Sequence, residues 1–355
     1  MKVRYKRCIR IFFLCFFAAI IAVISLVAVV DPFFHYHKPL KNVYYIIDNQ
    51  LSQNPGIAKN FEYDSVILGS SMTVNFDTNL FAETMGLNTV KLSYNSAYPK
   101  DNDNIMQLVQ QSDNEIKEIF LGIDIYTYKA PPGIVAYGIP EYLYDDALFN
   151  DAFYLLNKDV LLDYILLPQV KREGTALNEA YWVWQKMVYS EAMVAEIYEP
   201  PSVFSEMLPE DTYRDNIEEN MQKYILPYIE SMPDTKFTVF FPPYSVLYWY
   251  GEYADGNLAA ELAGERQIME LLFSYPNVRV YYFQDMFDFI TDLDNYCDHT
   301  HYIHEMNDQM TIWFSQEDCP YEVTPENYGA VLDEMKEWLD DCDFESYLPY
   351  EAGFT

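Results

Sequence analysis

The chain reads as an α/β protein: a three-layer α/β/α sandwich on a five-stranded parallel sheet, with a helical insertion and an N-terminal transmembrane helix. Three observations predict this. From residue 62 onward, short apolar runs alternate with helical patterns. The runs are mostly apolar and rich in β-branched or aromatic residues, as strands covered on both faces are. A stretch of twenty residues without charge, 11–30, lies near the start. Strand–helix alternation favours a parallel sheet, because parallel neighbours need a crossover that returns over one face.

The elements follow in order. Lys2, Arg4, Lys6, Arg7 and Arg10 give a basic tail over 1–10 that holds no acid. Residues 11–30 are rich in Phe, Ile, Val and Ala, and twenty helical residues span about 30 Å, the thickness of a bilayer core. Positive charge before the run and Asp31-Pro32 after it place the N-terminus in the cytoplasm and the rest outside. A cleaved signal peptide is the competing reading. Its apolar region is normally shorter and ends in a small-x-small site, which Val27-Ala28-Val29-Val30 matches poorly. A single-pass signal anchor in the cell membrane is therefore expected. Residues 31–60 read as a membrane-proximal stalk whose aromatics suit the outer interface.

The main domain is expected over 61–355, with strands at 65–68, 89–93, 119–123, 237–241 and 278–283. Helices are expected near 77–85, 101–112, 257–275 and 324–341, the last with Thr324 as N-cap and Pro325 in the first turn. The stretch 125–236 is too long for one crossover and carries Pro131-Pro132-Gly133. It reads as a helical insertion that covers or shapes a ligand cleft. An independent domain is the alternative, although no Gly/Ser-rich linker flanks it.

Charge excludes one class of function. The chain has 22 basic and 55 acidic residues. Setting aside the five bases of the tail leaves 17 against 55, a balance of −38. Such a body is repelled by nucleic acid. Cys8 and Cys15 belong to the anchor. Cys297, Cys319 and Cys342 face an exported compartment, where one disulfide is permitted and sequence does not choose the pair. Three unpaired thiols are the other reading, and no zinc-type cysteine spacing is present.

Ligands of parallel sheets bind at the carboxyl ends of the strands. There the sequence offers Gly69-Ser70-Ser71, Tyr94-Asn95-Ser96-Ala97-Tyr98, Gly122-Ile123-Asp124 and Pro242-Pro243-Tyr244-Ser245. Beyond the fifth strand comes Asp298-His299-Thr300-His301-Tyr302. A serine on a sharp strand-to-helix turn is a common nucleophile position. An Asp three residues before a His supplies and orients a general base. Taken separately, the first is an ordinary helix cap and the second a loop histidine.

With these residues the chain resembles the SGNH/GDSL-type hydrolase superfamily, in its membrane-anchored bacterial branch related to envelope acyl-transfer proteins. Ile67-Leu68-Gly69-Ser70-Ser71-Met72-Thr73 and the Asp298–Tyr302 segment carry the resemblance. The anchor followed by Asp31-Pro32-Phe33-Phe34, and Glu326-Asn327-Tyr328 near the end, also look like this branch. The resemblance implies a flavodoxin-like sheet with Ser71 as nucleophile, His301 as base and Asp298 as its orienting acid. It also implies oxyanion donors after the second and third strands, a Gly and an Asn. Here Ser96 stands nearest the glycine, with Asn95 beside it, and Asp124 stands where the Asn is expected. An ionised carboxylate does not donate to an oxyanion. Either Asp124 is protonated, or it orients another group, or Asn95 supplies the donor. Gly69, Asn95, Ser96 and Asp124 are thus the oxyanion or substrate-binding candidates.

His299, His301 and His304 form an H-x-H-x-x-H cluster, but no separate ligand motif accompanies it, so no metal and no cofactor is assigned. The 33 Tyr and 5 Trp suit sugar rings, or simply replace aliphatics in the core. Two functional readings result. One is an extracytoplasmic serine esterase or O-acyltransferase acting on an acylated cell-envelope glycan or acyl donor. The alternative is a non-catalytic envelope assembly or glycan-binding factor that partners a membrane acyltransferase.

Overall fold

The computed structural model describes residues 2–182 and 186–349. Two compact units divide the chain: Met1–Phe61 with Gly138–Ala180, and Glu62–Tyr137 with Tyr181–Thr355. This division differs from the expected stalk and insertion. Residues 31–60 fold with 138–180, so the middle of the expected insertion belongs to one unit and its two ends to the other. The last six residues of the expected main domain lie outside the described residues.

The first unit is built on a helix, Lys2–Val30, which is long and apolar enough to cross a membrane over Tyr5–Val30. It ends where Asp31 adopts a left-handed conformation and Pro32 follows. Asp31 is buried, and its carboxylate accepts from the backbone N–H groups of His35, Tyr36 and His37 at 2.7–3.0 Å and from the Tyr154 hydroxyl at 2.7 Å. These bonds fold 31–37 into a compact turn. Phe33 and Phe34 are therefore core residues, not interfacial aromatics. Pattern reading misses this because a turn closed by one carboxylate has no periodicity. A helix over Gln50–Asn60 packs closely on the turn: a Cβ at Gly56 would come within 2.1 Å of the Phe33 carbonyl oxygen.

The second unit contains a six-stranded sheet in the order β2-β1-β3-β4-β5-β6. The strands are β1 Ser65–Leu68, β2 Thr89–Lys91, β3 Glu118–Gly122, β4 Lys236–Phe241, β5 Val278–Tyr282 and β6 Glu322–Val323. The first five are parallel, in the places the apolar runs predict and within two residues of the expected ends. The sixth is a correction to the expected five. It pairs antiparallel with β5, and Arg279 clamps it through two donors to Glu322. Two residues are too few to leave a pattern.

The final helix begins at Tyr328, not at Thr324. The Thr324 N–H donates to the Asn327 side chain at 2.7 Å, and Tyr328 N–H donates to the Thr324 carbonyl at 3.0 Å. Thr324-Pro325-Glu326-Asn327 is thus a closed turn that precedes the helix. The helix expected at 101–112 runs over Pro99–Gln111, because Asp101 reaches back to the Tyr98 N–H at 2.9 Å and fixes its start. Beside the sheet, Phe76, Phe81, Phe120, Phe240 and Phe314 form a buried cluster of ring contacts. Strand order reverses between β1 and β3, which makes the carboxyl ends of these two strands the topological switch point.

Candidate active site

Ser71 follows β1 at this switch point. The chain leaves β1 through Gly69, whose φ of +131° a side chain rarely tolerates. A Cβ there would also meet the Thr73 methyl at 2.8 Å. Ser70 then caps a single helical turn, Ser71–Thr73, by accepting from the Met72 N–H at 3.2 Å. The cap is therefore Ser70, which leaves the Ser71 hydroxyl free to point elsewhere.

It points to a histidine 230 positions away. Ser71 Oγ lies 2.8 Å from His301 Nε2. His301 Nδ1 lies 2.6 Å from Asp298 Oδ2. The same loop holds the acid. Asp298 Oδ1 accepts from the His301 N–H at 2.7 Å and from the Thr300 N–H and hydroxyl at 2.8 and 3.0 Å. A bridge between Tyr296 and Tyr302 and a bond from Cys297 N–H to the His301 carbonyl close the loop at its base. Asp298 and His301 are thus brought together by one tight turn.

The electrostatics follow from these contacts. Burial opposes ionisation of Asp298, but the donors of His301 and Thr300 outweigh it and hold the carboxyl below its ordinary range. With Asp298 accepting at Nδ1, the hydrogen-bond chain leaves Nε2 as the acceptor that faces Ser71. Burial lowers the pKa of His299, the next imidazole in the loop.

Asp124, after β3, lies beside Ser71 with its carboxyl group engaged by neighbours. It is 1% exposed and accepts from the Tyr244 hydroxyl, and from both the hydroxyl and the N–H of Ser70. Burial pushes its carboxyl upward, while Ser70, Tyr244 and the nearby His301 pull it back. Through these contacts Asp124 bears on the turn that carries Ser71.

Ser96 occupies the position expected for glycine, and it has the backbone for it, with φ +57°. Among the described residues, neither its N–H nor that of Ser71 donates to a backbone carbonyl outside the helices and strands. Both residues line one cavity of about 570 Å³, together with Asp124, Tyr126, Tyr244 and His301. Asn95, one residue earlier, is not among the residues lining it. A larger groove of about 720 Å³, between the helices Arg214–Tyr224, Leu258–Leu272 and Tyr328–Asp341, has a charged rim and no Ser, Cys or His in its lining.

The three clustered histidines part company. Both ring nitrogens of His301 are engaged by Ser71 and Asp298, and the His304 imidazole lies by Glu305. Among the described residues, no group of three or more His, Cys, Asp or Glu is placed to hold a metal ion. All five cysteines are free thiols, including Cys297, Cys319 and Cys342.

Sequence reasoning missed the residues that brace the turn carrying Ser71. Thr73 donates to the Ser70 carbonyl at 2.8 Å, while the Tyr302 hydroxyl and the Asn307 amide both donate to the Met72 carbonyl at 3.1 Å. Tyr302 closes the quoted Asp298–Tyr302 segment, but only the folded chain shows it reaching across to the serine turn.

No family model and no curated protein matches the chain. Among solved structures, it is similar to one provisionally described as a platelet activating factor from Streptococcus pneumonia. That match has 12% identity and a TM-score of 0.37, over 75% of this chain and 88% of the other. A superposition this loose carries no argument about chemistry, which rests on the site itself.

Proposed function

We propose that the chain is a serine esterase or O-acyltransferase of the SGNH type, and that it forms an acyl-enzyme on Ser71. The observation that carries this reading is the continuous chain of contacts Ser71–His301–Asp298, at 2.8 and 2.6 Å. In the first half-reaction His301 Nε2 takes the Ser71 proton as Oγ attacks an ester carbonyl. The resulting oxyanion is received by the N–H groups of Ser71 and Ser96. Collapse of the intermediate expels the alcohol, which leaves with the proton from His301. In the second half-reaction a water or an acceptor hydroxyl gives its proton to His301, attacks the acyl group and releases Ser71. Asp298 keeps the imidazole in the required tautomer and stabilises the imidazolium.

The reading extends to topology and substrate. The helix at Tyr5–Val30 anchors the chain, with the N-terminus in the cytoplasm and the site outside. The substrate is an acylated envelope glycan or its acyl donor. The non-catalytic alternative drew its force from Asp124 at a donor position and from the missing glycine near Ser96. That force weakens once Asp124 is engaged with Ser70 and Tyr244.

Treatment of the full chain in detergent with a fluorophosphonate tests the nucleophile. We expect one adduct, mapped to Ser71 and lost in Ser71→Ala. A folded protein that gives no adduct on Ser71 overturns the reading.

A further inference from the structure

The unit built from Met1–Phe61 and Gly138–Ala180 carries an outward apolar face that catalysis does not use. Phe149, Phe153, Leu156, Leu162, Leu166 and Val170 are all exposed, Phe153 at 71% and Val170 at 80%. Scattered exposed apolar side chains are ordinary, but with Leu167 there are seven within 22 residues, a dense run. They lie on and between a short helix, Ala152–Leu155, and a longer helical run through Val160–Leu166 and Leu167–Lys171.

The opposite face of this segment is also apolar. Tyr154, Val160 and Ile165 are buried in one cluster with Val27 and Phe33, against which Val23 and Val30 pack. The segment is therefore wrapped on the last turns of the long N-terminal helix and carries apolar side chains toward both sides, with Lys158, Asp159 and Asp163 exposed among the outward ones. Helices of that kind lie in a protein core or in a membrane.

The level of the contact decides between these. Val23 lies seven residues before the helix end at Val30, about 10 Å along the axis. The charge-free residues 11–30 themselves span only about 30 Å, the depth of the bilayer core. If that stretch spans the membrane, whatever packs beside Val23 and Val27 sits in the outer part of the apolar layer. Charge agrees with this placement. In a chain of net charge −33, residues 147–172 hold three acids, Asp151, Asp159 and Asp163, and three bases, Lys158, Lys171 and Arg172. Asp151 is buried and accepts from the Tyr36 hydroxyl at 2.8 Å, and Asp159 pairs with Lys158 at 2.6 Å. The acid excess that keeps the rest of the chain off anionic head groups is absent here.

We infer that this face is a collar immersed in the outer leaflet beside the anchor, with lipid acyl chains as its occupant. The chain is then held by the membrane twice, by a spanning helix and by an interfacial helical segment folded onto it. The inference rests on the reading of residues 11–30 as a membrane span.

Photo-crosslinking of the full chain separates the two. Phe153, Leu162 and Val170 are replaced, one at a time, by p-benzoylphenylalanine in cell membranes. Phe16, within the span, and Tyr253, exposed in the other unit, serve as reference positions. After irradiation we expect a phospholipid mass added at all three collar positions and at Phe16, and none at Tyr253. Lipid adducts at Phe16 with none at the collar overturn the collar and leave the span intact. A discrete protein adduct at the collar assigns the face to a partner and also overturns it. Loss of the adduct at Phe16 itself removes the span and the collar together. Three independent positions guard against one variant failing to fold.

Discussion

At the scale of single residues, the site separates groups that touch the reacting atoms from groups that hold them. On the proposed reading Asp298 belongs to the second kind: it is not among the residues lining the cavity and touches His301 Nδ1. In Asp298→Asn the amide can donate to Nδ1, which favours the tautomer with its proton on Nε2, the wrong one for taking a proton from Ser71. We expect kcat to fall by about three to four orders of magnitude while KM changes little. Ester hydrolysis or transfer assays on the purified chain read this split; an unchanged kcat would remove Asp298 from the triad. At this scale the sequence was most legible for Ser71, Asp298 and His301, because each carries chemistry in a short motif. It was least legible for Ser70 and Tyr244. A serine beside the nucleophile and a tyrosine after a strand are common, and their convergence on Asp124 requires β1, β3 and β4 to be adjacent.

At the scale of elements, strands were legible wherever both faces are covered, and helix starts were misplaced wherever a side chain closes a turn first, as Asn327 does. The helix Leu258–Leu272 shows a further effect that no pattern reveals. Its Glu265 is fully buried and accepts from the Tyr282 hydroxyl at 3.0 Å. Burial pushes its carboxyl up to about 8, against the smaller pull of Tyr282 and Gln284. The folded state thus binds a proton that the unfolded chain has already lost. This contribution to stability is complete below the ordinary carboxyl range and disappears as the pH rises through about 8. It amounts to a few kcal/mol at most. Glu265→Gln keeps a neutral acceptor for Tyr282, so it should narrow the gap in urea midpoint between pH 5 and pH 8. An unaltered gap would show that Glu265 does not set this slope.

At the scale of the whole molecule, the question is what becomes of the first thirty residues. An uncleaved anchor leaves them on the mature protein; a signal sequence does not. We expect peptides containing Cys8 and Cys15 to be recovered by mass spectrometry from the mature membrane-bound chain. Recovery that begins only after Val30 would move the chain to the cleaved class. The packing of Val23, Val27 and Val30 with Phe33, Tyr154 and Ile165 favours retention, since cleavage would strip a covered apolar cluster.

The sequence by itself determined the mostly parallel α/β class, the apolar N-terminal helix, and the candidacy of Ser71, His301 and Asp298. Each is written in local composition, periodicity or a motif of a few residues. Tertiary structure alone decided that 31–60 joins 138–180, that a two-residue strand extends the sheet, and that Asp124 braces the serine turn. Those outcomes depend on contacts between residues distant in the chain, such as Val280 with Val323, Asp31 with Tyr154 and Asp124 with Tyr244. Such contacts are fixed by how the elements pack, and leave no local periodicity to read.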